Sequence, residues 1–125
     1  MSHISKIELE VNDLNTLDSA CTRLGLQLVK GQKNFKWFGK KAGDCDHAIR
    51  VPEAEYEIGI TRVNGIYELE CDYYDRHIGK AIGEKGGLLK QAYAAEKTKA
   101  EARRKGYLAI EKQTDTGIRL HVRVN

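Results

Sequence analysis

Hydrophobic and polar positions alternate with period two over residues 3–11, HISKIELEV. Ile7, Leu9 and Val11 fall on one side and Glu8 and Glu10 on the other, the pattern of a half-buried strand. The period then lengthens. In NDLNTLDSACTRLGL, Leu14, Leu17, Ala20, Cys21 and Leu24 recur at helical spacing, with Asn12 or Asp13 as N-cap and Gly25 as a stop. LQLVKGQK resumes strand alternation. The run that follows, KGQKNFKWFGKK, either extends that strand or turns back from it.

The middle of the chain holds two alternating runs around Asn64-Gly65, the dipeptide that favours a two-residue type I′ hairpin. That turn predicts Val63 opposite Ile66, Ile60 opposite Leu69, Ile58 opposite Cys71 and Tyr56 opposite Tyr73, with these pairs on one face. The other face then carries Glu57, Thr61, Glu68, Glu70 and Asp72. Residues 75–87, DRHIGKAIGEKGG, contain four glycines and read as a loop with at most one helical turn. LLKQAYAAEKTKAEARRKG reads as a helix: it has five alanines, Lys97-Glu101 and Glu101-Lys105 at i,i+4, basic residues at its negative end and Gly106 as a cap. Ala92, Ala95 and Ala102 suit close packing on a sheet. In the closing run, Asp115-Thr116-Gly117 suits a three-residue loop that pairs Thr114 with Ile118, Ile110 with Val122 and Leu108 with Val124. Arg119, His121 and Arg123 then point away from this apolar face.

The element order is β-α-β-(β)-β-β-α-β-β over a single domain, residues 1–125. The expected fold is α+β: an antiparallel sheet with two helices packed on one face, ferredoxin-like in character. A chain of this length buries roughly 65 to 70% of its unfolded-chain surface, so one core suffices without metal or disulfide staples.

Composition adds three constraints. With 41% hydrophobic and 31% charged residues and no apolar run near the ~18 residues that span a bilayer, the chain reads as soluble. Its start, Met-Ser-His-Ile, lacks the basic flank and apolar stretch of a signal peptide. Cys21, Cys45 and Cys71 are odd in number and show no C-x-x-C spacing, which suits a reducing cytoplasm. The net charge of +3 decides nothing alone, but its distribution is uneven. Residues 19–43 carry six basic side chains and no acid, and residues 53–75 carry seven acids against Arg62 alone.

Two surfaces follow from that distribution. Lys30, Lys33, Lys36, Trp37, Lys40 and Lys41, joined by Arg103, Arg104 and Lys105, have the composition of a nucleic-acid platform, in which cations track phosphates and rings stack on bases. The same letters in 30–41 also spell an edge strand with its rings inward and its lysines guarding against strand addition. Glu57, Glu68, Glu70 and Asp72 with Arg119, His121 and Arg123 form a charge-segregated sheet face suited to a protein partner or to a second copy of the chain, and too acidic for sheet-face RNA readout.

Two smaller motifs are weaker. Asp44, Cys45, Asp46 and His47 are each able to ligate metal, but neighbouring residues rarely converge on one ion. GKAIGEKGG lacks the G-K-[ST] of a phosphate loop, leaving only a glycine-rich helix entry suited to a small anion. No serine or cysteine sits in a nucleophile context, so no catalytic residues, cofactor or metal are expected.

Three segments resemble a known family: MSHISKIELEVNDLNTLDSACTRLGL, YEIGITRVNGIYELECD, and AYAAEKTKAEARRKGY followed by TDTGIRLHVRV. They are similar to the hypothetical chloroplast reading-frame thirty-five family of algal plastids, cyanobacteria, other bacteria and some phages. The family has no accepted catalytic or cofactor residues, so the resemblance implies no enzyme. Bacterial members often lie near a gene for an AAA-type ATPase, which implies an adaptor role with such a partner. Lys30 to His47 matches the family poorly, and residues 75–87 are richer in glycine. The expectation is a non-enzymatic cytoplasmic binding or adaptor module that self-associates through a sheet face or edge; the alternative is nucleic-acid binding through the basic segments.

Overall fold

The computed structural model describes residues 4–37 and 42–124. Alternation in the first segment yields β1 (Ser5–Val11), and the helical spacing after it yields α1 (Leu14–Arg23). Asp13 caps α1 by accepting the Asn15 N–H at 2.9 Å, and Gly25, at φ 76°, lets the chain leave it. There follow β2 (Gln27–Lys30), β3 (Asn34–Lys36), β4 (Ala42–Asp44), β5 (His47–Arg50), β6 (Glu57–Val63) and β7 (Ile66–Cys71). The rest is α2 (Arg76–Ile82), a 3-10 turn over Glu84–Gly86, α3 (Gly87–Arg104), β8 (Leu108–Thr114) and β9 (Gly117–Arg123).

The fold is α+β. Five strands form an antiparallel sheet in the order β1-β7-β6-β5-β2, and the helices cover its inner face. Ile7, Ile49, Ile58, Ile60, Leu69 and Cys71 from the strands meet Leu17, Ala20 and Cys21 of α1, Ile78 and Ile82 of α2, and Leu89 and Ala92 of α3. Each aliphatic side chain fully withdrawn from water contributes about 1.5–3 kcal/mol, so this layer dominates stability. Helix α3 ends as its sequence prescribes: the Gly106 N–H reaches the Arg103 carbonyl and the Tyr107 N–H the Ala102 carbonyl, around Gly106 at φ 75°. No helix among the described residues is long and apolar enough to cross a membrane.

The Asn64-Gly65 turn forms with both residues at positive φ, and Val63 pairs with Ile66 and Ile60 with Leu69 as the sequence predicts. The prediction that these pairs share a face is corrected: Val63 lies three residues from Ile60, so the pleat turns it to the outer face, where it is exposed.

Three further features depart from expectation. Residues 76–82 form a helix, because Asp75 caps it by accepting the His77 N–H at 3.0 Å and Ile78 and Ile82 enter the core. The β3–β4 hairpin is a separate two-stranded sheet that folds over the outer face of the main sheet. Finally, β8 and β9 pair only with each other and rest on α3. Their register is Thr114↔Gly117, Ile110↔His121 and Leu108↔Arg123, one residue away from the predicted pairing. Gly117 takes φ 146° and joins the strand, so Asp115 and Thr116 alone make the loop. That φ lies in the region that favours glycine, and a Cβ there would push the flexible Gln91 amide aside.

Candidate interaction surface

In the basic aromatic run, Phe35 is 1% exposed and inserts into a second small core with Cys45 and Ala48, flanked by Ile4 and Trp37. Its seat is the strand pair Ala48↔Gly59, where two small residues leave a socket on the outer face. A Cβ at Gly59 would overlap the ring, and one at Gly43 would stand 2.5 Å from Phe35 Cε1. Trp37 packs against both cores. Phe35 therefore belongs to the interior of the fold, while Trp37 stays half-buried at its edge. Lys33 and Lys36 are exposed, and Lys30 donates to Asn15 Oδ1 at 3.0 Å. Phe38, Lys40 and Lys41 lie outside the described residues.

Glu57 does not face a partner. It is buried at 9% exposure, and its Oε1 accepts the Lys36 N–H and the Gln32 side-chain amide, each at 3.0 Å, while Arg50 stands 3.5 Å from Oε2. It locks β3 to the sheet by hydrogen bonds to a charged acceptor. Asp72 is likewise buried, and its Oδ1 accepts the Tyr74 N–H at 2.9 Å, so it shapes the end of β7. Of the predicted acidic face, Glu68 and Glu70 retain access to solvent; Lys6 pairs with Glu68 at 3.1 Å. The expectation that these acids and Arg119, His121 and Arg123 share one sheet face is corrected, because β9 belongs to a different sheet.

The side chains of the Asp44–His47 motif are mostly occupied within the fold. Cys45 donates to the Gln32 carbonyl at 3.2 Å, Asp46 accepts the Arg62 N–H at 2.8 Å, and His47 Nδ1 accepts the Gly31 N–H at 2.9 Å. Among the described residues, no three His, Cys, Asp or Glu side chains are grouped to hold a metal. The glycines of 79–87 serve the chain path. Gly83 and Gly86 take positive φ, and a Cβ on either would come within 2.8 Å of Leu88 or Ile7, respectively. All three cysteines are buried free thiols, and burial pushes Cys21 and Cys71 up to about 12, away from nucleophilic thiolates.

The β8–β9 hairpin is different. Its inner face turns Glu111 toward α1 and α3, where Arg23 bonds both Glu111 oxygens and reaches Glu96 at 3.0 Å; Lys99 bridges Glu96 at 3.3 Å and Glu111 at 3.5 Å. The hydrogen bond from Arg23 holds the Glu111 carboxyl below its ordinary value, with burial opposing and Lys99 adding. The outer face joins Leu108 and Ile110 of β8 to Arg123 and His121 of β9, and Lys112 to Arg119. Leu108 is 51% exposed and Val124, just past β9, 62%. Arg103, Arg104 and Lys105, exposed at the end of α3, lead directly into this hairpin.

No family model, curated protein or solved structure matches the chain. The surface is therefore read from its own chemistry.

The sequence identified Arg119, His121 and Arg123 as outward-facing, but paired Leu108 and Ile110 with valines on the opposite side. A one-residue slip reverses which side chains share a face. Here it replaces a clean apolar face and a clean basic face by one mixed face, with aliphatics along β8 and cations along β9. A concavity of about 440 Å³ opens between β1 and the β6–β7 turn. It is lined by Leu9, Val63 and Ile66 with Lys6, Asn64, Glu8, Glu10 and Glu68.

Proposed function

We propose that the chain is a non-enzymatic binding module of the cytoplasm. Its working surface is the outer face of β8–β9, and its partner is a protein surface both acidic and partly apolar. The observation that carries this reading is the register Leu108↔Arg123 and Ile110↔His121, which gives one uncovered face both apolar contact area and positive charge. Large exposed apolar side chains grouped with cations mark an interaction site rather than a solvated hairpin. The buried free thiols agree with a reducing compartment. The resemblance to the chloroplast reading-frame thirty-five family agrees with an adaptor, and it implies an AAA-type ATPase as one partner class.

The test is a titration of isotopically labelled protein with a synthetic peptide of alternating Glu and Leu. Amide shifts are expected over residues 108–112 and 119–123, and they should vanish in the double variant Arg119→Glu, Arg123→Glu. Peptide binding that survives this variant would sink the reading.

A second reading, nucleic-acid binding, draws on the adjacency of Arg103, Arg104 and Lys105 to Arg123. With Phe35 buried it would rest chiefly on phosphate contacts, whose affinity falls steeply with salt. A single-stranded oligonucleotide that shifts residues 103–105 and 119–123, and is released by salt where the peptide gives no response, would favour it.

A further inference from the structure

We propose that the partner is a second copy of this chain, the β8–β9 outer face of one copy docking into the acidic concavity between β1 and the β6–β7 turn of the next. This rests on the reading of β8–β9 as a binding surface.

The two surfaces match in both components. The concavity offers an apolar floor of Leu9, Val63 and Ile66 with three carboxylates at its sides. Lys6 also lines it, paired with Glu68 and close enough to feel Glu8, so one cation stands against three carboxylates and the concavity keeps a net negative charge. The hairpin presents Leu108 and Ile110 to such a floor and Lys112, Arg119 and Arg123 to such carboxylates. A depression of about 330 Å³ between Ile110, Lys112, Arg119 and His121 gives it relief to interlock. Complementary charge steers the encounter and fixes its register, while the apolar contact supplies the holding energy.

One copy does not close on itself. The hairpin rests on α3, which covers the inner face of the sheet, whereas Val63, Ile66 and Glu68 line a concavity on the outer face. Because the two surfaces are unlike and lie on opposite faces, the contact is heterologous: one hairpin seats in one concavity, and a pair keeps a free hairpin at one end and a free concavity at the other for further copies. Pairing of sheet edges is the weaker alternative. Strand β1 carries Lys6, Glu8 and Glu10 along the edge, and its pairing with β7 is interrupted between Ile7 and Val11, features that block strand addition.

The experiment uses charge-swapped full-length variants and sedimentation velocity at low salt. One variant carries Arg119→Glu with Arg123→Glu, the other Glu8→Lys with Glu10→Lys. All four positions are exposed, so both variants should keep the wild-type unfolding midpoint when measured at dilutions where the wild type is monomeric. Wild type is expected to form dimers and larger species at roughly 100 µM and to dissociate as salt rises. Each variant alone should be monomeric, since its hairpin and concavity then carry like charge. An equimolar mixture should recover the association, because each hairpin again meets a concavity of opposite sign on the other variant. A monomeric wild type, or a mixture that stays monomeric, overturns the proposal. If wild type is monomeric but still binds the Glu-Leu peptide through residues 108–123, self-association falls and the binding reading stands. If it binds neither, both fall.

Discussion

Two hairpins lie outside the main sheet, and their sequences look alike: each mixes lysine or arginine with large apolar side chains. Their fates differ. In β3–β4, Phe35 finds a socket made by Ala48 and Gly59, Glu57 ties the strand by two hydrogen bonds, and the hairpin becomes part of the core. In β8–β9, a group of charges, Arg23, Glu96, Lys99 and Glu111, ties the hairpin to α1 and α3, and Leu108, Ile110 and Val122 stay exposed. Composition alone does not separate a buried hairpin from a presenting one. The deciding factor is whether the opposing surface has small residues where the large ones arrive.

The contrast is broken most forcefully by Phe35→Ala. Emptying a sealed socket of its ring should cost about 3–5 kcal/mol in denaturant unfolding, whereas Leu108→Ala on the exposed hairpin should stay within about 0.5 kcal/mol. Equal losses at the two positions would refute the distinction. Glu57→Ala, which orphans the Lys36 N–H and leaves the Gln32 amide only the Asn34 carbonyl, should cost about 1–3 kcal/mol, with hydrogen exchange accelerated in residues 34–44 and not in 108–123. Arg23→Ala should reverse that pattern: a global loss of about 0.2–1 kcal/mol, typical of partly exposed pairs, with exchange accelerated over residues 108–123.

Acid should separate the hairpins with smaller effects. Burial holds His47 below its ordinary 6.5, with Asp46 opposing and Lys33 and Lys30 adding. The neutral ring is thus favoured by the fold: its contribution is complete above 6.5 and lost as pH falls through the lower folded value. Protonated Nδ1 no longer accepts the Gly31 N–H that leads into β3. Glu111 is depressed from 4.5, so the ion pairs it makes are complete above 4.5 and lost as pH falls through its folded value. Protection factors measured against pH should therefore drop first over residues 31–36 and, in more acid solution, over 108–123. A reversed order would contradict the assignment of these anchors.

Much of this architecture was legible in the sequence, for physical reasons that also mark where it stopped. β1, α1, α3 and the β6–β7 pairing announce themselves by period and by their caps and turn, features that act over a few residues. Helix α2 was hidden because four glycines in 75–87 suggest a loop, although only Asp75, Ile78 and Ile82 are needed to cap and bury it. The seat of Phe35 was invisible because glycine and alanine carry no hydrophobic signal of their own. The β8–β9 slip turned on Gly117, which at φ 146° extends β9 instead of closing a three-residue loop. Thus Arg119, His121 and Arg123 were recognised as exposed, while their aliphatic neighbours on the same face were not, and Glu57 and Asp72 were taken for surface acids.

The socket under Phe35 ties positions 35 and 59 into one steric unit that mutation must treat jointly. Gly59→Ala alone drives a methyl group into the ring and should be poorly tolerated, and Phe35→Leu alone leaves space unfilled. Together the two changes exchange volume across the same contact, so their costs should partly cancel rather than add. Diverging sequences with this fold should accordingly carry a covariation between a ring in β3 and the absence of a side chain in β6.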